Sequence, residues 1–263
     1  MIPSTIHQIW WQGCSRIPSK YKRNCSSWQA LNPDMTYVCW DERQVLDLLN
    51  EATPDLVPIL QAYPYMVQKI DIAKYVILYI FGGVYVDMDM EPKKPLATLL
   101  HRFNTKGFIV AHHNTQRGMI FLSKLIGLKS DYLINNAMIA TEKGHPIMHD
   151  ILTNCLRSSK RMAFWNNFLP RVMSISLTTG PTAFTNVVVR NSKNPSLIIL
   201  PGHYFEPCDI FQSCTRDTGN VFAVHGLDAS WAGGEKQFVV FLSRNWLVMA
   251  LIIIFLVCAH KGK

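Results

Sequence analysis

Asp71-Ile72-Ala73-Lys74-Tyr75, followed shortly by Gly82-Gly83-Val84-Tyr85-Val86-Asp87-Met88-Asp89, is the stretch that decides how the rest of the chain is read. Over Met66–Phe81 the apolar residues Val67, Ile70, Ala73, Ile77 and Ile80 recur at helical spacing, so a helix is expected there. Gly82-Gly83 ends it as a C-cap glycine does. Val84–Asp87 then reads as a short buried strand, and a second carboxylate, Asp89, follows two residues on. Helix, glycine stop, buried strand and acidic pair together predict an α/β domain. In an open α/β sheet, ligands bind beyond the carboxyl ends of the strands.

The flanking sequence has the same grammar. Thr5–Trp10 reads as a buried first strand. A helix runs from Pro18-Ser19 to about Leu31 and breaks at Asn32-Pro33-Asp34. Tyr37–Trp40 is a second strand, and Asp41 is placed to cap a helix through Asn50. Downstream, Phe108–Ala111, Leu197–Leu200 and Val221–Val224 read as strands, and helices open at Pro146 and at Gly180-Pro181. Alternation of this kind predicts a largely parallel sheet.

Composition narrows the function. With 49% apolar and only 17% charged residues, the 263-residue chain is too hydrophobic to be disordered. The net charge of +8 is scattered, with no zinc finger, RNA-recognition signature or basic helix, so nucleic acid is not expected as a partner. A basic balance suits phosphorylated donors or anionic lipid. The seven cysteines form no C-x-x-C pair, and reduced buried thiols are expected, with Cys208 and Cys214 the pair to consider in an oxidising lumen.

Asp87 and Asp89 would share a face on a regular strand and repel each other, so a divalent cation between them is the natural neutraliser. Hard carboxylate ligands favour Mn²⁺ or Mg²⁺, with positions left open for diphosphate oxygens. Asp71 and Lys74 lie one helical turn apart and can face one ligand. Asp87, Asp89 and Asp71 are therefore the candidate catalytic residues.

The segment resembles the signature of the D-x-D sugar-transferase family, which includes fungal initiating α-1,6-mannosyltransferases and inositol-phosphoceramide mannosyltransferases. Further matches follow in order: Ile6-His7-Gln8-Ile9-Trp10, Asn32-Pro33 with Trp40, Asn135-Asn136 with His145-Pro146, Thr179-Gly180-Pro181, and His225 with Ser230-Trp231. The resemblance covers about residues 2 to 232. It implies a GT-A-like, Rossmann-type nucleotide-sugar-binding domain, a Mn²⁺ (or Mg²⁺) cofactor and retention of anomeric configuration. It implies that Asp71 and Lys74 bind donor-sugar hydroxyls and that Trp10 stacks on the base; its neighbour Trp11 should point the other way. Asn135 or Asn136 would hydrogen-bond the sugar, and Ser230 and Trp231 would close on the diphosphate. His225 would be the third metal ligand, with Asp228 as the alternative. Gly180-Pro181-Thr182 either starts a helix or turns free N–H groups toward phosphate or acceptor.

The expected activity is metal-dependent, retaining transfer of a hexose, mannose favoured, from a nucleotide-sugar to a hydroxyl on a glycan or glycolipid. GDP-mannose is the favoured donor, with UDP-sugars as the alternative. No nucleophile or general base is assigned. Two other readings compete: a nucleotide-sugar-binding protein without turnover, and a metal-dependent phosphohydrolase. Asp89-Met90-Glu91-Pro92 lacks the D-x-D-x-T arrangement the second requires.

The end of the chain differs. Trp246–Ala259 carries no charge, and His260-Lys261-Gly262-Lys263 follows. The run spans only about 21 Å as a helix against a hydrocarbon core of about 30 Å, so extension toward Phe238 is needed to cross. Residues 1–235 are expected to form the transferase domain and 236–263 a single membrane anchor. Met1–Trp10 does not read as a signal peptide, so a post-translationally inserted C-terminal segment would leave the domain cytosolic. The Golgi or another endomembrane lumen is the alternative. The sequon Asn24-Cys25-Ser26 is the expected readout of orientation.

Overall fold

A computed structural model describes residues 1–162, 169–209, 214, 219–228 and 232–248. In chain order its strands are β1 (Thr5–Ile9), β2 (Thr36–Trp40), β3 (Gly83–Val86), β4 (Met90–Pro92), β5 (Phe108–Ala111), β6 (Met138–Thr141), β7 (Leu197–Leu200) and β8 (Ala223–His225). Its helices are α1 (Ser19–Leu31), α2 (Glu42–Ala52), α3 (Val57–Ala62), α4 (Met66–Phe81), α5 (Leu96–Arg102), α6 (Arg117–Leu125), α7 (Pro146–Met162), α8 (Arg171–Thr178), α9 (Pro181–Arg190) and α10 (Glu235–Arg244).

Among the described residues, six strands form one sheet in the order β2-β1-β3-β6-β5-β7, and β4 and β8 form a separate ribbon. The expected α/β class is met, but the sheet is mixed. β1 pairs parallel with β2 and β3, and β5 with β7, whereas β6 runs antiparallel to both β3 and β5. A parallel neighbour needs a crossover that returns over a sheet face. The β5–β6 connection makes none: its helix α6 packs against α10 instead.

Both faces of the sheet are covered. Tyr85, Phe108, Val110 and Ile139 pack toward α2, α4, α7 and α9. Val84, Val86, Ile109, Ala111, Met138 and Ala140 pack on the opposite side with Trp28 of α1, Leu96 and Leu99 of α5, and Phe222. The side-chain period of two sends alternate residues to opposite layers, which is why these strands read as uninterrupted apolar runs. Each buried aliphatic side chain contributes about 1.5–3 kcal/mol. The core helix α4 is apolar nearly all round, and it also buries Gln68, Asp71 and Lys74.

The cysteine expectation is corrected. Cys14 is bonded to Cys39 and Cys208 to Cys214, while Cys25 and Cys155 are buried free thiols. Parallel pairing sets Cys39 opposite Gln8, and the turn at Gly13 (φ 107°) brings Cys14 back to it. A sequence separation of 25 carries no trace of that register. Cys258 lies outside the described residues.

The sequon also reads differently in the fold. Asn24 Nδ2 donates to Met88 O (3.1 Å) and Cys25 is buried, so a glycan on Asn24 would displace a contact to the D-x-D turn. Of the expected apolar C-terminal helix, only the start is described. Trp246 packs on Phe121 with ring centroids 5.5 Å apart, Leu247 and Val248 are exposed, and residues 249–263 lie outside the described part. The described stretch long and apolar enough to cross a membrane is mid-chain, Arg171–Arg190, with 61% of its apolar window buried. It breaks at Thr179-Gly180 into α8 and α9, as a core element does.

Candidate active site

The acidic pair sits in a turn, not on a strand. β3 ends at Val86, Asp87 N–H donates to Ala137 O (2.8 Å), and Met90 N–H turns back to Asp87 O (3.1 Å). Met90 then enters β4, whose antiparallel register sets it opposite His225 of β8. That pairing brings the histidine to the carboxylates from far along the chain. Gly226 N–H donates to Asp89 O (2.8 Å), and a Cβ on Gly226 would stand only 2.9 Å from the same oxygen. The glycine is required by this close approach. Leu227 follows in the left-handed region (φ 51°), an unusual conformation that lets Asp228 N–H donate to Asp89 Oδ2 (3.1 Å).

The ligand atoms of Asp87, Asp89 and His225 lie within 4.8 Å of one another. Two hard carboxylates and an imidazole, converging with open space beside them, fit a divalent cation. Burial pushes the Asp87 carboxyl up, and the Lys74 charge opposes the rise. Burial acts upward on Asp89 too, but hydrogen bonding and charge from His225 outweigh it and leave the group below its usual value. His225 is pushed up to about 10, because Asp89 and Glu206 overcome the effect of burial. Its proton offsets the acidic cluster where a cation would do the same. Asp228, the alternative ligand, points elsewhere: its Oδ2 accepts from Lys20 Nζ (2.8 Å) and Tyr21 OH (2.6 Å).

Asp71 and Lys74 form the floor. Lys74 Nζ lies 2.7 Å from Asp71 Oδ1, with both side chains almost wholly buried. Thr179 Oγ1 donates to Asp71 Oδ2 (2.8 Å), Asn136 Nδ2 approaches Asp71 Oδ1 (3.4 Å), and Asn136 Nδ2 also donates to Tyr75 OH (3.0 Å). Burial alone would lower the Lys74 pKa, but the carboxylates of Asp71 and Asp87 reverse that and keep the ammonium charged. Tyr85 OH donates to Asp87 Oδ1 (2.7 Å), and Lys74 Nζ lies 5.3 Å from the Tyr85 ring centroid, which sets the floor beside the acidic turn.

Above it opens a cleft of about 530 Å³, lined by Trp10, Asp71, Lys74, Asp87, Asp89, Asn135, Asn136 and His225 among others. Trp10 lies just past β1, half-buried against Tyr21 at 5.6 Å between ring centroids, whereas Trp11 packs into the core. The two asparagines differ. Asn136 is engaged by Asp71 and Tyr75, while Asn135, 1% exposed, has a buried Nδ2 with no hydrogen-bond partner. Gly180 and Pro181 reach the cleft at the start of α9, and Thr182 Oγ1 is bonded to Ser176 Oγ (2.8 Å). Ser230 and Trp231 lie outside the described residues.

Sequence reading missed the roles of Thr179, Tyr85 and Glu206. The first two sit inside motifs already quoted, and their hydroxyls are the missed signal. Glu206 stands in no motif.

Comparison with known proteins agrees with the sequence resemblance. The profile of the family described as glycosyltransferase sugar-binding region containing DXD motif matches residues 18–105. An uncharacterised glycosyltransferase of Acanthamoeba polyphaga mimivirus is 28% identical over 95% of this chain and 92% of its own. Inositol phosphoceramide mannosyltransferase 1 of Schizosaccharomyces pombe is 26% identical over 93% of this chain, which spans 66% of the fungal protein. Among solved structures, mouse xyloside xylosyltransferase 1 superposes with a TM-score of 0.50 at 14% identity, covering 85% of this chain and 97% of that one. At that identity the likeness is one of fold.

Proposed function

We propose that the chain, a glycosyltransferase of the DXD sugar-binding type by its relatives, transfers a hexose, mannose in preference, from a nucleotide-sugar to a hydroxyl on a glycan or glycolipid with retention of configuration. The observation that carries this reading is the convergence of Asp87, Asp89 and His225 beside the buried Asp71–Lys74 pair, at the edge of one cleft. In this reading Asp87, Asp89 and His225 would hold a divalent cation, Mn²⁺ favoured, which would supply positive charge for the departing diphosphate. The protein's part is positioning. Asp87, Asp89 and His225 fix the diphosphate end, Trp10 holds the base, and Lys74 adds positive charge near the phosphates. Asp71 and Asn135 orient the sugar, the latter through its unpartnered amide N–H. Ser230 and Trp231 belong to the same proposal as diphosphate contacts. An acceptor hydroxyl then attacks from the face the diphosphate leaves.

Membrane attachment through the apolar run within 236–263 is part of the reading. Mannosyl phosphorylinositol ceramide synthases are among the relatives, and a lipid acceptor would reside at such a surface. For the compartment, the bonds Cys14–Cys39 and Cys208–Cys214 favour an oxidising lumen over the cytosol.

The test is a panel of nucleotide-sugars with Mn²⁺, scored by nucleotide release and by NMR of the product anomer. GDP-mannose is expected to turn over best, with retention. An inverted linkage would remove the proposed geometry. Binding of donors with no release from any would leave a binding protein in place of an enzyme.

A further inference from the structure

Glu206 lies in no sequence motif, is completely buried, and stands directly behind His225. Its Oε1 accepts from His225 Nδ1 (2.9 Å). Its Oε2 accepts from Asn114 N–H (2.9 Å) and lies 3.0 Å from His113 Nδ1. His113 and Asn114 follow β5 and line the cleft wall. The backbone at Glu206 is itself fixed. Glu206 N–H donates to Gly202 O (2.8 Å), just past a short 3₁₀ turn over Gly202–Tyr204, and Phe205 before it is fully buried. Gly202 packs so close to His112 O that a Cβ would stand 2.9 Å from it.

A buried carboxylate so near an acidic pair is unfavourable unless every oxygen is partnered. Here its partners lie on two separate walls of the site. With Nδ1 of His225 committed to Glu206, the opposite nitrogen, Nε2, faces Asp89 Oδ1 at 3.4 Å. A carboxylate on the far nitrogen of a metal-binding histidine fixes both ring orientation and tautomer, and its loss typically lowers metal affinity about 10- to 100-fold.

We propose that Glu206 is the positioning residue of the metal centre, holding the His225 ring with Nε2 toward Asp87 and Asp89 while its second oxygen ties down the His113–Asn114 wall of the cleft. The inference rests on the reading of Asp87, Asp89 and His225 as metal ligands. It adds a residue that touches neither cation nor substrate.

The experiment measures Mn²⁺ binding to the full chain by electron paramagnetic resonance, without donor, for wild type and for Glu206→Gln, His113→Gln, His225→Ala and Asp89→Asn. Glutamine keeps the volume and one acceptor but turns an N–H₂ toward one donor. Glu206→Gln is expected to weaken Mn²⁺ about 10- to 100-fold. His113→Gln, which removes one partner of the other oxygen while Asn114 N–H still holds it, is expected to weaken binding far less than Glu206→Gln. Wild-type affinity in Glu206→Gln, with binding lost in His225→Ala, would overturn the proposal and keep the metal reading. Equal losses in Glu206→Gln and His113→Gln would assign the effect to general loosening and also overturn it. Unchanged binding in His225→Ala and Asp89→Asn would remove the metal reading itself. A further measurement needs no Glu206 variant. With Cd²⁺ as a diamagnetic probe, the long-range ¹H–¹⁵N spectrum of the wild type should show His225 protonated at Nδ1 and metallated at Nε2. The reverse assignment would overturn the inference.

Discussion

Lys74 Nζ stands 2.7 Å from Asp71 Oδ1 on a core helix, with both side chains almost fully removed from water. Such a pair contributes little net stability, but removing one partner strands the other charge. Lys74→Met should therefore destabilise the fold by about 3–5 kcal/mol. The double variant Asp71→Asn/Lys74→Met should recover most of that loss and still lack transferase activity. Urea unfolding of the three proteins checks this. A single variant as stable as wild type would mean that water reaches Asp71.

Trp10→Ala should raise donor KM more than it lowers kcat, since contact with the base is remote from the bond that breaks. Stacking of this kind is worth about 1–3 kcal/mol. Trp11→Ala should act differently, lowering stability by about 3–5 kcal/mol through the cavity it leaves in the core. Kinetics and thermal unfolding on the two variants separate the roles. A fall confined to kcat in Trp10→Ala would contradict the placement at the base.

The sequence carried the local part of this architecture well. The helix over Met66–Phe81 and the strand over Phe108–Ala111 end where periodicity and glycine place them, because both signals are local. What it could not carry is long-range register. β6 reverses direction with no local mark. His225 reaches Asp89 only through the pairing of β4 with β8, so the third ligand came from family resemblance and not from spacing. Cys14 and Cys39 meet through the β1–β2 register, and the expectation of free thiols failed there. Glu206 was invisible for the same reason: its partners His113, Asn114 and His225 are joined only in three dimensions.

Mn²⁺ should raise the thermal stability of the wild-type chain, because a ligand that binds only the folded state stabilises by mass action, by about 2.7 kcal/mol at one hundred times Kd. Asp87→Asn and Asp89→Asn should abolish both that rise and turnover while folding normally without metal, since neither removes core volume. Calorimetry with and without Mn²⁺ makes the comparison. An undiminished Mn²⁺ response in Asp89→Asn would place the cation elsewhere.

His7 is buried on the interior strand β1, with Nε2 3.0 Å from Gly82 O and Nδ1 accepting from Trp40 Nε1 (3.2 Å). Burial lowers its pKa from 6.5 to about 4, with the Gly82 contact opposing the shift. The unfolded chain therefore binds the proton more readily. The stabilisation from neutral His7 is complete above pH 6.5 and is lost as pH falls toward 4. It amounts to about 3 kcal/mol at 1.36 kcal/mol per pKa unit. His7→Gln, which can meet both contacts without titrating, should flatten this part of the stability profile relative to wild type. Parallel profiles from pH 7 to 4 would show that His7 titrates normally.

The Cys14–Cys39 bond should matter for both folding and donor binding. It closes a loop with a sequence separation of 25, for which the loss of unfolded-state entropy predicts about 3.5 kcal/mol. It also anchors the segment that carries Trp10. Trp10 N–H donates to Trp40 O (2.9 Å), Gly13 N–H donates back to Trp10 O (3.0 Å), and both cysteines pack in the small cluster against which Trp10 rests. Cys14→Ser/Cys39→Ser should therefore lose about that stability and show a raised donor KM. Because Asn24 is occupied by Met88 O, peptide mapping of the bond itself is the better report of compartment. Non-reducing digestion of the chain isolated from its native cell should yield the Cys14–Cys39 peptide pair. Fully alkylated Cys14 and Cys39 in active, membrane-associated protein would return the domain to the cytosol.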